Sequence, residues 1–215
     1  MRTISKAIVL VAKDPNGISV SQTPAAGGIQ NLSITGVLAS GGVATMDVAR
    51  HIEITCAGDE TSRTFTITGT DRYENAITED IAGVSGTTTN GTKNFKTVTQ
   101  VATDDDTAGA ILVGTNDSAD GPWIPLDHKN EDFNVSIFSS ISVGATLTYG
   151  IDKTLSNVLA DGFLEDDAVH NEDLLMTGKS AAFVGSLTVP VSAIRQAVTG
   201  YTDGTVTSQI QQSGV

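Results

Sequence analysis

The sequence is poor in cysteine, in aromatic residues and in basic residues, and each shortage excludes a class of protein. Cys56 is the single cysteine of the 215 residues, so an intrachain disulfide framework and a thiolate metal cage are both excluded. It alternates with Ile52 and Ile54 in "HIEITC", which predicts that Cys56 is buried in a core. The aromatic share is 5%, with one Trp and three Tyr, too few for the ring platforms on which carbohydrate-binding proteins stack sugars.

Basic residues number 12 against 25 acidic ones, which gives a net charge of −13. Nucleic acids and anionic membrane surfaces are bound through basic patches, so we expect neither as a partner. Charged residues of both signs make up only 17% of the chain, where an average soluble protein has about 25%. Threonine, serine, asparagine and glutamine must therefore supply most of the surface polarity, and threonine is favoured on exposed strands.

Long apolar runs are missing as well. The run near the N-terminus covers only residues 7–12. A signal-peptide core needs about 7–15 apolar residues, and a membrane-spanning helix needs about 20. We therefore expect a soluble protein that is made in a cytoplasm.

What the sequence has in quantity is alternation of apolar and polar residues. Four stretches show it clearly, "HIEITC" (51–56), "RTFTITGT" (63–70), "FNVSIF" (133–138) and "TLTYGID" (146–152). Each predicts a half-buried antiparallel strand. Asn-Gly and Asp-Gly pairs, such as the one at 203–204, predict tight hairpins between strands. The predicted fold class is all-β, an antiparallel β-sandwich or jelly roll.

The chain is expected to form two tandem β modules. The polar segment "GTNDSADGPWIPLD" (114–127) contains two of the five prolines and few strand signals, as a connection between domains does. We place an N-terminal β-sandwich module at residues 1–115, a connection anchored by Trp123 at 116–131, and a C-terminal module at 132–215. Helical periodicity is scarce, and we expect one short helix or a structured loop near residues 168–176.

Two acidic stretches raise the question of metal binding. Asp104, Asp105 and Asp106 are consecutive, whereas an EF-hand loop alternates its acidic ligands and has a glycine at the sixth position. Neighbouring residues also point in opposite directions, so a solvated turn is favoured over a weak calcium site. The stretch "LEDDAVHNED" (164–173) surrounds His170, and a mobile or partner-facing loop is favoured there over a cation site.

No catalytic motif accompanies the histidines, which are His51, His128 and His170. The sequence lacks the G-x-S-x-G nucleophile elbow, the H-E-x-x-H zinc helix and the G-x-x-x-x-G-K-[ST] phosphate loop. A carboxylate pair for glycoside hydrolysis depends on a separation of about 5–10 Å, which only the fold decides. We predict a protein that is not an enzyme and that has no catalytic residues, no metal and no cofactor.

Four segments carry a resemblance to a known group of proteins. They are "FTITGTDRYENAITEDIAG" (65–83), "GTKNFKTVTQV" (91–101), "FNVSIFSSISVGATLTYGIDKTL" (133–155) and "PVSAIRQAVTGYTDGTVTSQIQQSG" (190–214). Together they resemble small structural proteins encoded beside the coat-protein genes of tailed bacteriophages. The run "GTDRYENAITEDI" is the most distinctive part, and in it Glu74 occupies a turn position where glycine is more usual.

The resemblance implies a virion structural component of the capsid decoration (cement) type. Such proteins are commonly β-rich trimers seated on the shell where coat subunits meet. The partners it implies are the major capsid protein and further copies of the chain, with a homotrimer as the expected oligomer. The location it implies is the capsid exterior, after synthesis in the cytoplasm of a bacterial host. A neck, tail or fibre-base component and a glycan-binding β-sandwich adhesin remain as alternatives.

The N-terminal stretch "RTISKAIVLV" (2–11) is the candidate segment for docking to another subunit. It reads as an apolar strand with basic flanks, and an unpaired edge strand can add to a neighbouring sheet. An ordinary first strand of the sandwich is the alternative interpretation. The candidate docking residues are Arg2, Ile4, Lys6, Ile8 and Leu10.

Overall fold

The computed structural model describes residues 2–129, 132–168, 170–172 and 175–213. The chain forms two compact units. The middle unit is Lys13–Asn116, and the terminal unit combines Met1–Ala12 with Asp117–Val215. Both units consist of antiparallel strands, which confirms the predicted all-β class, while a jelly-roll connectivity remains a prediction.

The middle unit pairs a larger sheet with a smaller one. Sheet I has the strand order β4-β5-β10-β7-β8, with β3 paired to β10, and sheet II has the order β2-β11-β6-β9. The strands are β2 (Ser19–Gln22), β3 (Gln30–Asn31), β4 (Ala39–Ser40), β5 (Val43–Arg50), β6 (Ile52–Cys56), β7 (Thr64–Thr70), β8 (Ala76–Ala82), β9 (Thr88–Asn90), β10 (Phe95–Thr103) and β11 (Ile111–Thr115).

The core of the middle unit lies between its two sheets, where the predicted apolar phases meet. Phe65 and Ile67 of β7 come from sheet I, and Ile54 and Cys56 of β6 come from sheet II; all four are at most 1% exposed. Alternation places every second side chain of a strand on the same face, so each strand contributes one apolar row. The burial predicted for Cys56 is confirmed, and burial raises the pKa of its thiol.

The terminal unit is also built from two antiparallel sheets. Sheet III has the order β1-β19-β14-β17, and sheet IV has the order β12-β18-β15-β16, with β13 also paired to β18. The strands are β1 (Arg2–Val9), β12 (Ala119–Asp120), β13 (Ile124–Pro125), β14 (Val135–Ile141), β15 (Thr146–Thr154), β16 (His170–Glu172), β17 (Phe183–Leu187), β18 (Ala193–Asp203) and β19 (Thr205–Gln212).

The core of the terminal unit again joins the two sheets. Val135 and Ile137 of β14 pack with Ile151 of β15 and Ile194 of β18, and all four are at most 2% exposed. A buried polar contact lies in the same core, where Gln196 Nε2 donates a hydrogen bond to Ser208 Oγ at 2.8 Å. The stretches "FNVSIF" and "TLTYGID" therefore form strands, as predicted, and Val135, Ile137 and Ile151 from them lie in the core of a two-layer sandwich.

The structure divides the chain differently from the predicted modules. Residues 1–12 belong to the terminal unit, because β1 pairs with β19 along its whole length, from Arg2↔Gln212 to Val9↔Thr205. Residues 117–129 are also part of that unit, since β12 and β13 both pair with β18. The predicted bounds, a module at 1–115 and a connection at 116–131, therefore differ from the structure at these positions.

Of the two alternatives predicted near residues 168–176, a short helix or a structured loop, the described part contains no α-helix; a 3-10 turn, Glu165–Asp167, precedes it and β16 lies within it. The tight hairpin predicted at residues 203–204 is wrong. The Asp-Gly pair at 203–204 does not close a hairpin, because β18 and β19 on its two sides belong to different sheets. Gly204 has φ +102°, so its positive φ turns the chain from one layer to the other. The described residues contain no helix that is long and apolar enough to cross a membrane.

Candidate functional site

A group of buried charges lies on the face of sheet IV that is turned away from the sandwich core. Arg195 comes from β18 and Asp152 from β15, and the antiparallel register places the two residues directly opposite each other. Asp120 comes from β12, on the other side of β18. Arg195, Asp152 and Asp120 are 4%, 4% and 9% exposed, so these charges are almost fully removed from water.

Arg195 holds both carboxylates at once. Its Nη2 lies 2.7 Å from Asp120 Oδ2, and its Nε donates to Asp152 Oδ2 at 3.0 Å. One guanidinium therefore serves two carboxylates. Burial raises the pKa of Asp152, and the attraction of Arg195 opposes that rise without cancelling it.

His170 of β16 completes the cluster as a hydrogen-bond acceptor. Its Nδ1 lies 2.9 Å from the carbonyl oxygen of Ala168, and a carbonyl only accepts, so Nδ1 carries the proton of the neutral ring. Its Nε2 then accepts from Arg195 Nη2 at 3.1 Å and lies 3.7 Å from Asp152 Oδ2. Both ring nitrogens are used inside the protein, so this geometry favours a structural role over acid–base catalysis.

Trp123 covers the guanidinium. The Arg195 Cζ lies 4.7 Å from the centroid of its ring, and the His170 ring meets it edge-on at 5.7 Å. Its indole Nε1 donates to the carbonyl oxygen of Glu165 at 3.3 Å. Ala168 and the half-buried Phe163 pack against the same group, so the segment after β15 lies over the charges. We call Asp120, Trp123, Asp152, His170 and Arg195 the Arg195 cluster.

Sequence reasoning identified His170 and Trp123 but missed the rest of this cluster. The sequence contains a signal for it in "AIRQAV", where an arginine interrupts an apolar strand. A second signal is "YGID", where an aspartate directly follows apolar residues of a buried strand. An isolated charge inside such a strand needs a partner. Of the acidic stretch 164–173, the structure places His170 in the cluster; Asp173 lies outside the described residues.

The three consecutive aspartates lie in a solvent-accessible loop, as the favoured interpretation predicted, and two of them also accept hydrogen bonds from the backbone. They follow β10 in sheet I and precede β11 in sheet II, so they connect two layers. Asp105 Oδ1 accepts from the backbone N–H of Gly28 at 2.9 Å, and Asp106 Oδ1 accepts from that of Gly27 at 2.6 Å. Gly27 and Gly28 both have positive φ, which aims two successive N–H groups at the carboxylates. Asp104 is exposed, whereas Asp105 and Asp106 are half-buried.

Hydrogen bonds to Asp105 affect its acidity. The backbone N–H groups of Asp106 and Gly28 lower the pKa of Asp105, because they stabilise its ionised form. Among the residues that the structure describes, no three His, Cys, Asp or Glu side chains are grouped as metal ligands would be.

The candidate docking residues lie in and just after β1, at the edge of sheet III. Ile8 and Leu10 are 6% and 4% exposed and belong to the terminal unit itself, and Ile4 is half-buried against its core. These apolar side chains hold the strand to its own unit and are not available to a partner. Lys6 is exposed, while the side chain of Arg2 lies outside the described part. Within the described residues β1 pairs only with β19, so its other backbone edge is open.

Comparison with known proteins adds little to this geometry. No protein-family model matches the chain, and no curated protein sequence is similar to it. Among solved structures, the allantoicase of Saccharomyces cerevisiae is similar at a TM-score of 0.23 and 11% sequence identity. That alignment covers 95% of this chain and 92% of the allantoicase. A similarity at this level carries no argument about the fold or the activity of this protein.

Proposed function

We propose that this chain is a non-enzymatic structural protein of a tailed-bacteriophage particle, which binds the outer surface of the capsid as a decoration (cement) protein. The proposal starts from the four segments that resemble such proteins. The geometric observation that supports it concerns the acidic side chains. In the described loops, carboxylates accept hydrogen bonds from the backbone and hold the loops in place, as a rigid shell component requires.

Glu79 and Asp71 illustrate this use of carboxylates. Glu79 is 9% exposed, and its Oε1 accepts from the backbone N–H and the hydroxyl of Thr92 at 2.6 and 3.0 Å. Asp71 Oδ1 accepts from the backbone N–H groups of Tyr73 and Asn75 at 2.8 and 2.9 Å. Hydrogen bonds to an ionised acceptor are stronger than neutral ones, so each loop is fixed at its base.

The same arrangement occurs in both units. Acidic side chains that accept from a backbone N–H are Asp14, Asp59, Glu60, Asp71, Glu79, Asp105, Asp106, Asp127 and Asp203. These carboxylates are distributed along the chain, whereas an active site needs them to converge on one reacting group. This distribution favours a structural protein over an enzyme.

The open edge of β1 is the segment we propose for binding the coat. Alternate residues of this eight-residue strand direct their backbone groups away from β19, toward an extended segment of the major capsid protein that would add a strand to sheet III. Lys6 lies on this edge and is exposed, so it can pair with an acidic side chain of the partner. Ile4 and Ile8 of the strand remain packed in the terminal unit.

Antibody labelling of purified virions, viewed by electron microscopy, tests the proposal. Particles of the phage that encodes this chain are compared with particles from which its gene has been deleted. Label over the whole head in many copies is the expected result. Label confined to one vertex or to the tail would assign the chain to the neck, tail or fibre base. A particle without label would contradict a virion role.

A further inference from the structure

The outward face of sheet III carries no ionisable side chain among the described residues. Its strands are joined without a register shift, so every second residue of each one points outward. We call this surface the uncharged face. It consists of Ser5, Ala7 and Val9 of β1, Thr205, Thr207, Gln209 and Gln211 of β19, Ser136, Phe138 and Ser140 of β14, and Val184 and Ser186 of β17.

An aromatic and an aliphatic side chain lie next to each other on this face. Phe138 and Val184 are 43% and 70% exposed and are cross-strand partners. On the other side of Phe138 lies Gln209, followed by Ser5, so one row contains four uncharged residues. Interface centres are depleted of charge and enriched in aromatic residues, and this row has both properties.

The outward faces of the middle unit differ from this surface. Sheet I carries the exposed Asp80, whose carboxylate accepts from the hydroxyl of Thr66, and sheet II carries Glu53 in an ion pair with Lys13. The whole chain has a net charge of −13, so two copies repel each other wherever acidic faces meet. The uncharged face is a surface on which two copies can approach without bringing carboxylates together.

We propose that the uncharged face binds the terminal unit of a second copy of this chain, and this inference rests on the proposed decoration function, for which the resemblance implies a homo-oligomer. Four strands spaced about 4.8 Å apart and seven residues of about 3.3 Å each span roughly 19 Å by 23 Å. That area of about 450 Å² is about half of the roughly 800 Å² that each partner buries in a standard interface. The self-association is therefore weak in solution and is strengthened where a particle holds many copies side by side.

The test is the mass of the purified full chain, measured by sedimentation equilibrium from low to high micromolar concentration. The wild-type protein is expected to exceed its monomer mass of 22.2 kDa increasingly as concentration rises. Val184→Lys and Gln209→Glu, which each add one charge to the face, are expected to remain at 22.2 kDa throughout. The matched control is Val20→Lys, because Val20 is also an exposed strand valine, at 41%, but lies on sheet II.

The outcomes separate this inference from the proposed function. Circular dichroism first establishes that each variant keeps its strands. A wild-type chain that stays monomeric at every concentration would overturn the proposed contact, and so would a Val184→Lys variant that associates as the wild type does. Neither result bears on virion labelling, which tests the decoration role. Association that is lost in both face variants and kept in Val20→Lys supports the uncharged face as the contact.

Discussion

The middle and terminal units both contain acidic side chains in positions shielded from water, and they stabilise them differently. In the middle unit Glu79, Asp71 and Glu60 each accept from backbone N–H groups of a nearby loop. In the terminal unit Asp120 and Asp152 share the single guanidinium of Arg195. The first arrangement distributes the interactions over several loops, whereas the second concentrates them on one residue.

This difference determines how each unit responds to substitution. A distributed set loses one loop anchor at a time, because each carboxylate has its own backbone partners. A shared cation leaves two buried carboxylates without a partner when it is removed, and uncompensated buried charges are costly. Trp123, the single tryptophan, lies in the terminal unit, so its fluorescence follows the unfolding of that unit alone.

The largest effect is expected for Arg195→Met. Removing one partner of a buried ion pair costs about 3–5 kcal/mol, and here it strands two carboxylates. The free energy of unfolding is measured by urea titration followed through Trp123. The matched control adds Asp120→Asn and Asp152→Asn to Arg195→Met, which removes the stranded charges and should recover much of the loss. A single-variant loss below about 1 kcal/mol, the range of exposed ion pairs, would contradict the role of the cluster.

A smaller loss is expected for Glu79→Ala in the middle unit. It removes the acceptor of the Thr92 N–H and leaves the backbone of residues 92–93 without its anchor. Hydrogen bonds to a charged group contribute about 1.5–3 kcal/mol, so a loss of about 2 kcal/mol is expected. Hydrogen exchange resolved along the chain should show reduced protection in the middle unit. The neighbouring Asp80→Ala, at an exposed position, serves as the control and should change protection little.

A gain of stability is expected for Glu74→Gly in the same unit. Glu74 has φ +68°, the one positive φ of a non-glycine residue in the described chain. A left-handed backbone conformation destabilises a residue that has a Cβ atom by roughly 1–2 kcal/mol. Glycine avoids this cost, but it loses more backbone entropy on folding, which offsets part of the gain. The expected net gain is about 0.5–1 kcal/mol, read from the thermal midpoint. Glu74→Ala keeps a Cβ atom and should not show it, so an equal gain in both variants would refute the explanation.

The smallest effect is an opposite pH response of the two units. Asp105 has a lowered pKa in the folded state. Its ionised form therefore stabilises the fold above the ordinary aspartate pKa of about 3.9, and this stabilisation is lost as pH falls from there through the lowered pKa. Asp152 has a raised pKa in the folded state, so its protonated form favours folding. Its contribution to folding stability therefore decreases as pH rises from about 3.9 through the raised pKa.

Hydrogen exchange of the middle unit and Trp123 fluorescence of the terminal unit, measured across acidic pH, give the two responses separately. Asp105→Asn should flatten the acid loss in the middle unit and leave the fluorescence curve unchanged. Asp152→Asn should flatten the pH dependence of the fluorescence in the terminal unit and leave the hydrogen exchange of the middle unit unchanged. Equal responses of both units in both variants would show that the two carboxylates do not differ as described.

Local patterns predicted the elements better than their assembly. The alternation in "HIEITC" and "FNVSIF" gave the correct buried phase, because burial on one face leaves a period of two in the sequence. The unusual position of Glu74 in its turn also follows from the sequence, and its positive φ agrees with it. Such features depend on residues that are close together in the chain.

The module boundary and the Arg195 cluster depend on residues that are far apart. Arg2 pairs with Gln212, and no local signal in β1 indicates a partner at the other end of the chain. Arg195 and Asp152 are 43 residues apart and meet only because β15 and β18 pair in one register. The face of a strand can therefore be predicted from its own residues, whereas its neighbour in the sheet cannot.

The most direct test of the decoration role is addition of the purified protein to phage particles that lack it. The account predicts saturable binding over the head, and a rise in the temperature at which the heads release their DNA. Protein unfolded by heat beforehand serves as the control and should do neither. Failure of the folded protein to bind these heads, or binding that leaves their heat resistance unchanged, would contradict a cementing function.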